Sequence, residues 1–308
     1  MITAFDLAAF EAAIGEARRM RAATLDALCR QTGFLILTGH GVPESVIADV
    51  RAATRAFFDL PEAEKARLSP SPGQPYGWIG PGREALARAT DPDSPFDLKE
   101  SFNGGPRAVP EGMADEEALA FCYAPTPWPE VEGFRAAWEA YYEAMEGLGA
   151  RVMGAMAEAL GLAPDHFAPY LAAPVSALRA LNYPGQAGPG SMGAGAHTDY
   201  GSLTILLPQD GSEGLEISMP EQGWQAVDPV PGAFVVNIGD LMARWTGGRW
   251  VSTLHRVRAT ARRRMSLAFF QQPDWFARIE TLPGVGPEAF EPVLSGPYLM
   301  GRFRAAGG

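Results

Sequence analysis

At 308 residues, 47% of them hydrophobic and 20% charged, the chain has the material for a large globular core, carried by one domain or by a domain with substantial elaborations. A net charge of -11 argues against a nucleic-acid wrapper, which needs a basic footprint, and against an anionic membrane surface. No apolar stretch has membrane-spanning length, and the start Met1-Ile2-Thr3-Ala4-Phe5-Asp6 lacks a basic signal followed by an apolar core, so a cytoplasmic protein is expected. Cys29 and Cys122 have no metal-ligand spacing and read as reduced core thiols.

The first half reads as mostly helical. Leu7, Phe10, Ile14 and Ala17 step by three and four, and Leu25 and Leu28 rejoin the stripe after a gap at Arg21, which predicts one imperfect helix or two shorter ones up to Arg30. Gly33 stops the pattern, and Phe34 to Leu37 reads as a short buried strand. Pro43 opens a helix to about Phe58, since a proline at the first position lacks only an amide hydrogen that would be unpaired anyway. A short charged helix follows from Leu60-Pro61-Glu62 to near Leu68. From 69 to 129 prolines and glycines punctuate the chain, Pro92 and Pro95 among them, and predict long loops that wall a site. Val131 to Leu162 is the longest helix candidate, with an aromatic and methionine stripe that reads as a core face.

The second half turns to strands: Leu178 to Tyr183, Gly201 to Leu207, Leu215 to Ser218, Trp224 to Val227, Ala233 to Ile238, Thr253 to Val257 and Met265 to Phe270. Short strands separated by Gly/Pro/Asp turns predict a double-sheet jelly roll. The expected class is α+β, a single domain over 1–308. A mostly helical N-terminal cap over 1–170 carries the long loop 69–129; a jelly-roll core over 175–275 holds the motifs; a loosely ordered tail spans 276–308. No phosphate-binding glycine fingerprint follows any strand, and no repeat is evident.

The chemistry centres on His197-Thr198-Asp199 and a distant third residue, His255. Side chains alternate along a strand, so His197 and Asp199 project to one side, and His255 would complete a two-histidine, one-carboxylate face. That set leaves one side of an octahedral ion open and suits ferrous iron. The competing reading is a surface turn in which Asp199 accepts backbone hydrogens and His197 is incidental. Arg264 and Ser266 alternate to one side of a strand otherwise made of Met265, Leu267, Ala268, Phe269 and Phe270. An inward guanidinium is costly to bury unless it meets an anion, and arginine grips a carboxylate with two prongs. Arg264 is therefore read as a clamp for the far carboxylate of a dicarboxylate; the alternative is an arginine paired at a sheet edge, a solvated role assigned to Arg262 and Arg263.

On these residues the chain resembles the 2-oxoglutarate and Fe(II)-dependent dioxygenase superfamily, in its isopenicillin N synthase-like branch. The His-x-Asp…His motif falls on His197, Asp199 and His255, and Arg-x-Ser on Arg264 and Ser266. Asn182-Tyr183-Pro184 is similar to the branch's Asn-Tyr-Pro strand, Gly239-Asp240 to its Gly-Asp pair, and Gly39-His40-Gly41-Val42-Pro43 to its N-terminal motif. His40 is thereby structural, and His166 receives no role. The resemblance, which covers nearly the whole length, implies Fe(II) and 2-oxoglutarate as cofactors, with Arg264, Ser266, Tyr183 and Asn182 at the cosubstrate. It also implies dioxygen and a small organic metabolite as substrates, succinate and carbon dioxide as products, and a monomer without nucleic-acid or membrane partners. The substrate pocket is assigned to Phe102, Tyr76, Trp78, Leu203, Leu206, Phe270 and Gln272, with Arg179 and Arg244 as anion contacts and Lys99 and Glu100 bracing the loop. Other readings are an isopenicillin-type or ethylene-forming enzyme without coupled hydroxylation, and a non-catalytic jelly-roll binding protein.

Overall fold

The computed structural model describes residues 2–89, 93–94, 96–185, 192–287 and 290–305, so Pro92 and Pro95 lie outside the described residues. Two sheets face each other. The larger has eight strands, in spatial order Ala4–Asp6, Phe34–Thr38, Phe234–Ile238, Leu203–Pro208, Arg264–Gln271, Ala177–Tyr183, Glu100–Gly104 and Gly77–Ile79. The smaller has four, in the order Met192–His197, His255–Arg258, Leu215–Met219 and Gly223–Ala226. Within both sheets all pairs are antiparallel except the first two strands of the larger. This is the expected α+β jelly roll.

Alternation along each strand sorts side chains between two cores. Leu35, Leu37, Leu178, Ala180, Leu203, Ile205, Leu207, Leu267 and Phe269 face outward from the barrel onto the helical layer. Phe34, Ile36 and Val235 face inward onto Ile217, while Leu181, Tyr183 and Ala268 meet Ala194 and Val257 of the smaller sheet. The helical layer is dominated by Phe134–Ala159, whose buried stripe includes Phe134, Trp138, Tyr141, Met145, Leu148, Val152 and Met156, as the three- and four-residue spacing requires. Helix Glu44–Phe58 starts directly after Pro43. The first helical segment is two helices, Leu7–Ala12 and Gly15–Gln31, and the break falls at Ala13-Ile14 rather than at Arg21.

Three expectations are corrected. The N-terminal region, expected as a mostly helical cap with a long loop over 69–129, also supplies four of the eight strands of the main sheet, two of them, Gly77–Ile79 and Glu100–Gly104, from inside that loop. Short strands interrupted by glycine carry too little alternation to stand out from loop composition. The tail is not a loose return either; Ser295–Ala305 is a helix that buries Leu299 and Met300. Finally, Phe102 does not wall a pocket. It is fully buried on the helical side of the sheet, with ring centroids 5.1 Å from Phe57 and 5.2 Å from both Phe134 and Trp138. Phe102→Ala is therefore expected to remove about 3–5 kcal/mol of stability in urea unfolding while leaving the substrate KM unchanged. A raised KM with normal stability would return Phe102 to the pocket.

Candidate metal centre and cosubstrate site

His197 and His255 lie directly opposite each other in the antiparallel pair Met192–His197 and His255–Arg258. The next pair in register is Ala194 with Val257, so Gly195 and Ala196 together oppose Arg256, a bulge beside the site. The ring centroids are 4.3 Å apart. Asp199 sits two residues past the end of its strand rather than within it, and its Oδ1 lies 3.8 Å from Nε2 of both histidines. Among the described residues this is the one cluster whose ligand atoms, all within 4.8 Å of one another, could hold a metal ion.

Supporting bonds set the aim of each ligand. His197 Nδ1 bonds Gly195 O at 2.7 Å, and His255 Nδ1 bonds Thr253 O at 3.0 Å. A carbonyl can only accept, so Nδ1 carries the proton in both rings and each Nε2 turns a lone pair to the centre. Asp199 Oδ2 accepts from Thr204 Oγ1 and from Asn237 Nδ2 at 2.7 Å, which leaves Oδ1 for the ion. Burial, aided by His255, pushes the His197 pKa down to about 4, so the ring is neutral at physiological pH. Burial alone would raise Asp199, but His255 and His197, with the bonds from Asn237 and Thr204, hold it below the ordinary carboxylate range. Two neutral imidazoles, one carboxylate and no sulfur fit a ferrous ion.

Arg264 and Ser266 are both buried and share the inward face of their strand, as the alternation predicts. The Arg264 guanidinium stacks on the Tyr183 ring at 4.0 Å, and its Nε and Nη2 are buried without a hydrogen-bond partner among the described residues. Burial lowers its pKa, opposed by Tyr183. A charged, dry and half-unpartnered guanidinium is costly, and a carboxylate would satisfy it. Asn182 faces the other way. Its Nδ2 donates to Glu100 at 2.7 Å and its Oδ1 accepts from Arg263 Nε at 2.8 Å, so it braces the strand from the helical side, away from the inward face that carries Arg264. Arg263, expected to be merely solvated, links Asn182 to Asp59.

A cavity of ≈ 720 Å³ opens on the triad and is lined in part by His197, Thr198, Asp199, Tyr76, Trp78 and Arg179, with Phe270 and Gln272 opposite. That size suits a metabolite or drug-sized ligand. Tyr183, Arg264 and Ser266 are not among the residues that line it. Several assigned wall residues stand elsewhere. Leu203 is buried in the helical-side core, and Leu206 packs between the sheets, because one faces outward and the other inward on the same strand. Arg244 bonds Glu291 O and lies over Phe290 and Tyr298, a structural role in the C-terminal region. Leu299 and Phe303 of the C-terminal helix do line the cavity, as do Phe121 and Tyr200, none of which the sequence pattern singles out.

The sequence pattern also misses Thr204 and Asn237 as site residues. Thr204 stands on the inward face of the strand after the triad, one position before Leu206 on that face, and that alternation is the available signal. Gly239 lets the chain close on the triad loop, since a Cβ there would meet Gly201 O at 2.2 Å. His40 is structural as expected: Nδ1 accepts from Val42 N at 3.1 Å and Nε2 donates to Gly232 O at 2.9 Å.

Comparison with known proteins agrees with this geometry. Residues 174–273 match the profile of the 2OG-Fe(II) oxygenase superfamily, and residues 2–131 match that of the non-haem dioxygenase in morphine synthesis N-terminal region. Validamycin A dioxygenase of Streptomyces hygroscopicus subsp. limoneus is 34% identical over 302 residues, covering 94% of this chain and 82% of that protein. The 2-oxoglutarate-dependent dioxygenase caaD of Aspergillus niger is 38% identical over 243 residues, covering 76% and 72%. A full-length Neurospora crassa protein, crystallised in complex with alpha-KG and thymine, superposes with a TM-score of 0.86 at 28% identity, covering 99% of this chain and 96% of that one. With the triad in place and relatives that span most of its length, the chain belongs to the 2-oxoglutarate and Fe(II)-dependent dioxygenase superfamily.

Proposed function

We propose that this chain hydroxylates a small organic metabolite held in the cavity above the triad, as a monomeric cytoplasmic enzyme, and that Arg264, Ser266 and Tyr183 hold the far carboxylate of 2-oxoglutarate. One observation carries the assignment of the clamp: a buried guanidinium with two unpartnered nitrogens on the inward face of the barrel that also holds the metal ligands. When bound, Fe(II) and 2-oxoglutarate supply the oxidative chemistry, consuming dioxygen and releasing succinate and carbon dioxide. The chain's own residues do the positioning. His197, Asp199 and His255 would take one face of the ion, and Thr204 and Asn237 keep Asp199 turned toward it.

On the substrate side, Tyr76 and Trp78 are fixed walls: Tyr76 donates to Cys122 O at 2.8 Å and Trp78 Nε1 to Glu100 at 2.7 Å. Phe270 adds apolar surface, and Gln272 Oε1 is buried without a partner among the described residues. Arg179 is a cavity-wall residue whose charge is already met by Glu84 at 2.6 Å, so it is a directional donor more than an anion trap. The two cysteines are buried and free, which is compatible with the cytoplasmic placement. The net charge of -11 supports a small-molecule substrate over nucleic acid.

The direct test is succinate release on adding Fe(II), 2-oxoglutarate and a panel of metabolites; oxidation of a substrate without succinate would favour an isopenicillin-type oxidase instead. Arg264→Leu should leave the melting temperature of the cofactor-free protein unchanged or higher, because it removes an unpaired buried charge. The same variant should lose the stabilisation that 2-oxoglutarate gives the wild type, about 2.7 kcal/mol at a hundredfold excess over Kd. An intact 2-oxoglutarate shift would remove Arg264 from the clamp. The metal-free triad is also acid-sensitive. Between pH 6.5 and about 4 the unfolded chain takes up a proton that folded His197 refuses, so its contribution is present above 6.5 and lost as pH falls toward 4. Melting temperature measured against pH should show a shallower acid slope in His197→Ala than in wild type.

A further inference from the structure

Four ionisable side chains form a continuous chain from the cavity wall to the strand that carries His197; its inner two, Lys99 and Asp97, are buried and its outer two, Arg179 and Glu84, partly so. Arg179 Nη2 pairs with Glu84 at 2.6 Å, Lys99 Nζ lies 3.3 Å from Glu84, and Lys99 Nζ pairs with Asp97 Oδ2 at 2.6 Å. The Lys99 side chain is 0% exposed and that of Asp97 1%. Burial alone would lower the Lys99 pKa, but Glu84 and Asp97 overbalance it and hold the ammonium charged. Glu84 is drawn down to about 2 against burial by Arg179 and Lys99. Burying charges such as Lys99 and Asp97 costs several kcal/mol per ion before pairing, and apolar residues of similar volume often stabilise a fold as well or better. Stability alone therefore gives a poor account of this chain.

What the chain holds is a metal-bearing strand. Met192–His197 is at the edge of the smaller sheet, so its outer backbone groups have no neighbouring strand. Residues 97 and 98 stand in for one. Leu98 N donates to Met192 O at 3.1 Å, and Asp97 Oδ1 accepts from Gly195 N at 2.8 Å. Asp97 Oδ2 meanwhile accepts from Lys99 and from Leu86 N at 3.3 Å. Gly195 belongs to the bulge opposite Arg256, and its carbonyl receives His197 Nδ1 at 2.7 Å. A Cβ at Gly195 would lie 2.6 Å from Ala87 Cβ, so the strand is pressed against the turn that carries Leu86. One residue is thus gripped on its N–H by Asp97 and orients a ligand ring through its C=O.

We propose that Asp97 is a positioning residue for the metal centre: its hydrogen bond to the Gly195 N–H fixes the bulge whose carbonyl aims His197. Asp97 touches neither ion nor substrate and acts through the Gly195 backbone. The inference rests on the metal triad, and metal binding by the wild type, measured alongside, tests that triad separately.

The test compares two double variants that both remove the Lys99–Asp97 ion pair and differ in whether position 97 can still accept from Gly195. Lys99→Met/Asp97→Asn keeps an amide oxygen for that bond; Lys99→Met/Asp97→Ala does not. Cobalt(II) binding to the metal-free proteins is measured by calorimetry, with the visible ligand-field spectrum of the bound ion and the melting temperature of each variant. The alanine double is expected to bind cobalt roughly 10- to 100-fold more weakly than the asparagine double, with an altered spectrum, and the asparagine double to stay near wild type. Lys65→Met is the control, since Lys65 pairs with buried Glu100 at 2.7 Å and has no contact with the metal strand; it should lower the melting temperature and leave cobalt affinity unchanged. Equal cobalt affinity in the two doubles, whether high or low, would overturn the proposal.

Discussion

The facing of His197 and His255 across one antiparallel pair is the constraint on which the rest of the site depends. Two rings on adjacent strands come close only when their positions are directly opposed, and a slip of one residue would send one of them to the other side of the sheet. The bulge at Gly195-Ala196 keeps that opposition while freeing a carbonyl for His197. Asp199 then needs no strand of its own. It is brought in by the loop beyond His197 and held by Thr204 and Asn237 from two strands of the larger sheet. The triad is therefore assembled across the interior between the two sheets.

Buried charge is treated in two opposite ways within this interior. Lys99, Glu84 and Asp97 are paired at 2.6 to 3.3 Å, and Lys65 and Glu100 at 2.7 Å, with Trp78 and Asn182 also donating to Glu100. Those groups are finished in the absence of any ligand. Arg264 is not: stacking on Tyr183 covers its face, but two of its nitrogens are left without partners among the described residues. In a low-dielectric interior the difference between completed and incomplete bonding is large, and that difference is what the proposed clamp role of Arg264 rests on.

How much of this is legible in the sequence follows from what each feature depends on. Arg264 and Ser266 can be read because period-two alternation and chemical type act locally, and a strand of eight residues displays both; the metal ligands are legible by chemical type and motif alone, since Asp199 lies beyond its strand. The α+β jelly roll is legible for the same reason. Asn182 misleads because its neighbour Tyr183 faces inward and adjacent residues on a strand must face opposite ways. Leu203 fails likewise, with Leu206 and Thr204 on the inner face. The strand carrying His197, rich in glycine and alanine, leaves no pattern to read, since its conformation is imposed by its pairing and by Asp97 rather than by propensity. The cavity wall from the C-terminal helix depends on contacts made across the whole chain, and no local pattern encodes them.

The order of strands in the larger sheet carries one more consequence. Arg264–Gln271, the last of its eight strands in the chain, lies in the middle, between Leu203–Pro208 and Ala177–Tyr183. Until it is inserted, the sheet exists as two blocks of strands with no backbone bonds between them, each exposing an unpaired edge. The strand that joins those two blocks is the one that bears Arg264. Closure of the larger sheet and placement of the Arg264 guanidinium therefore depend on one and the same strand.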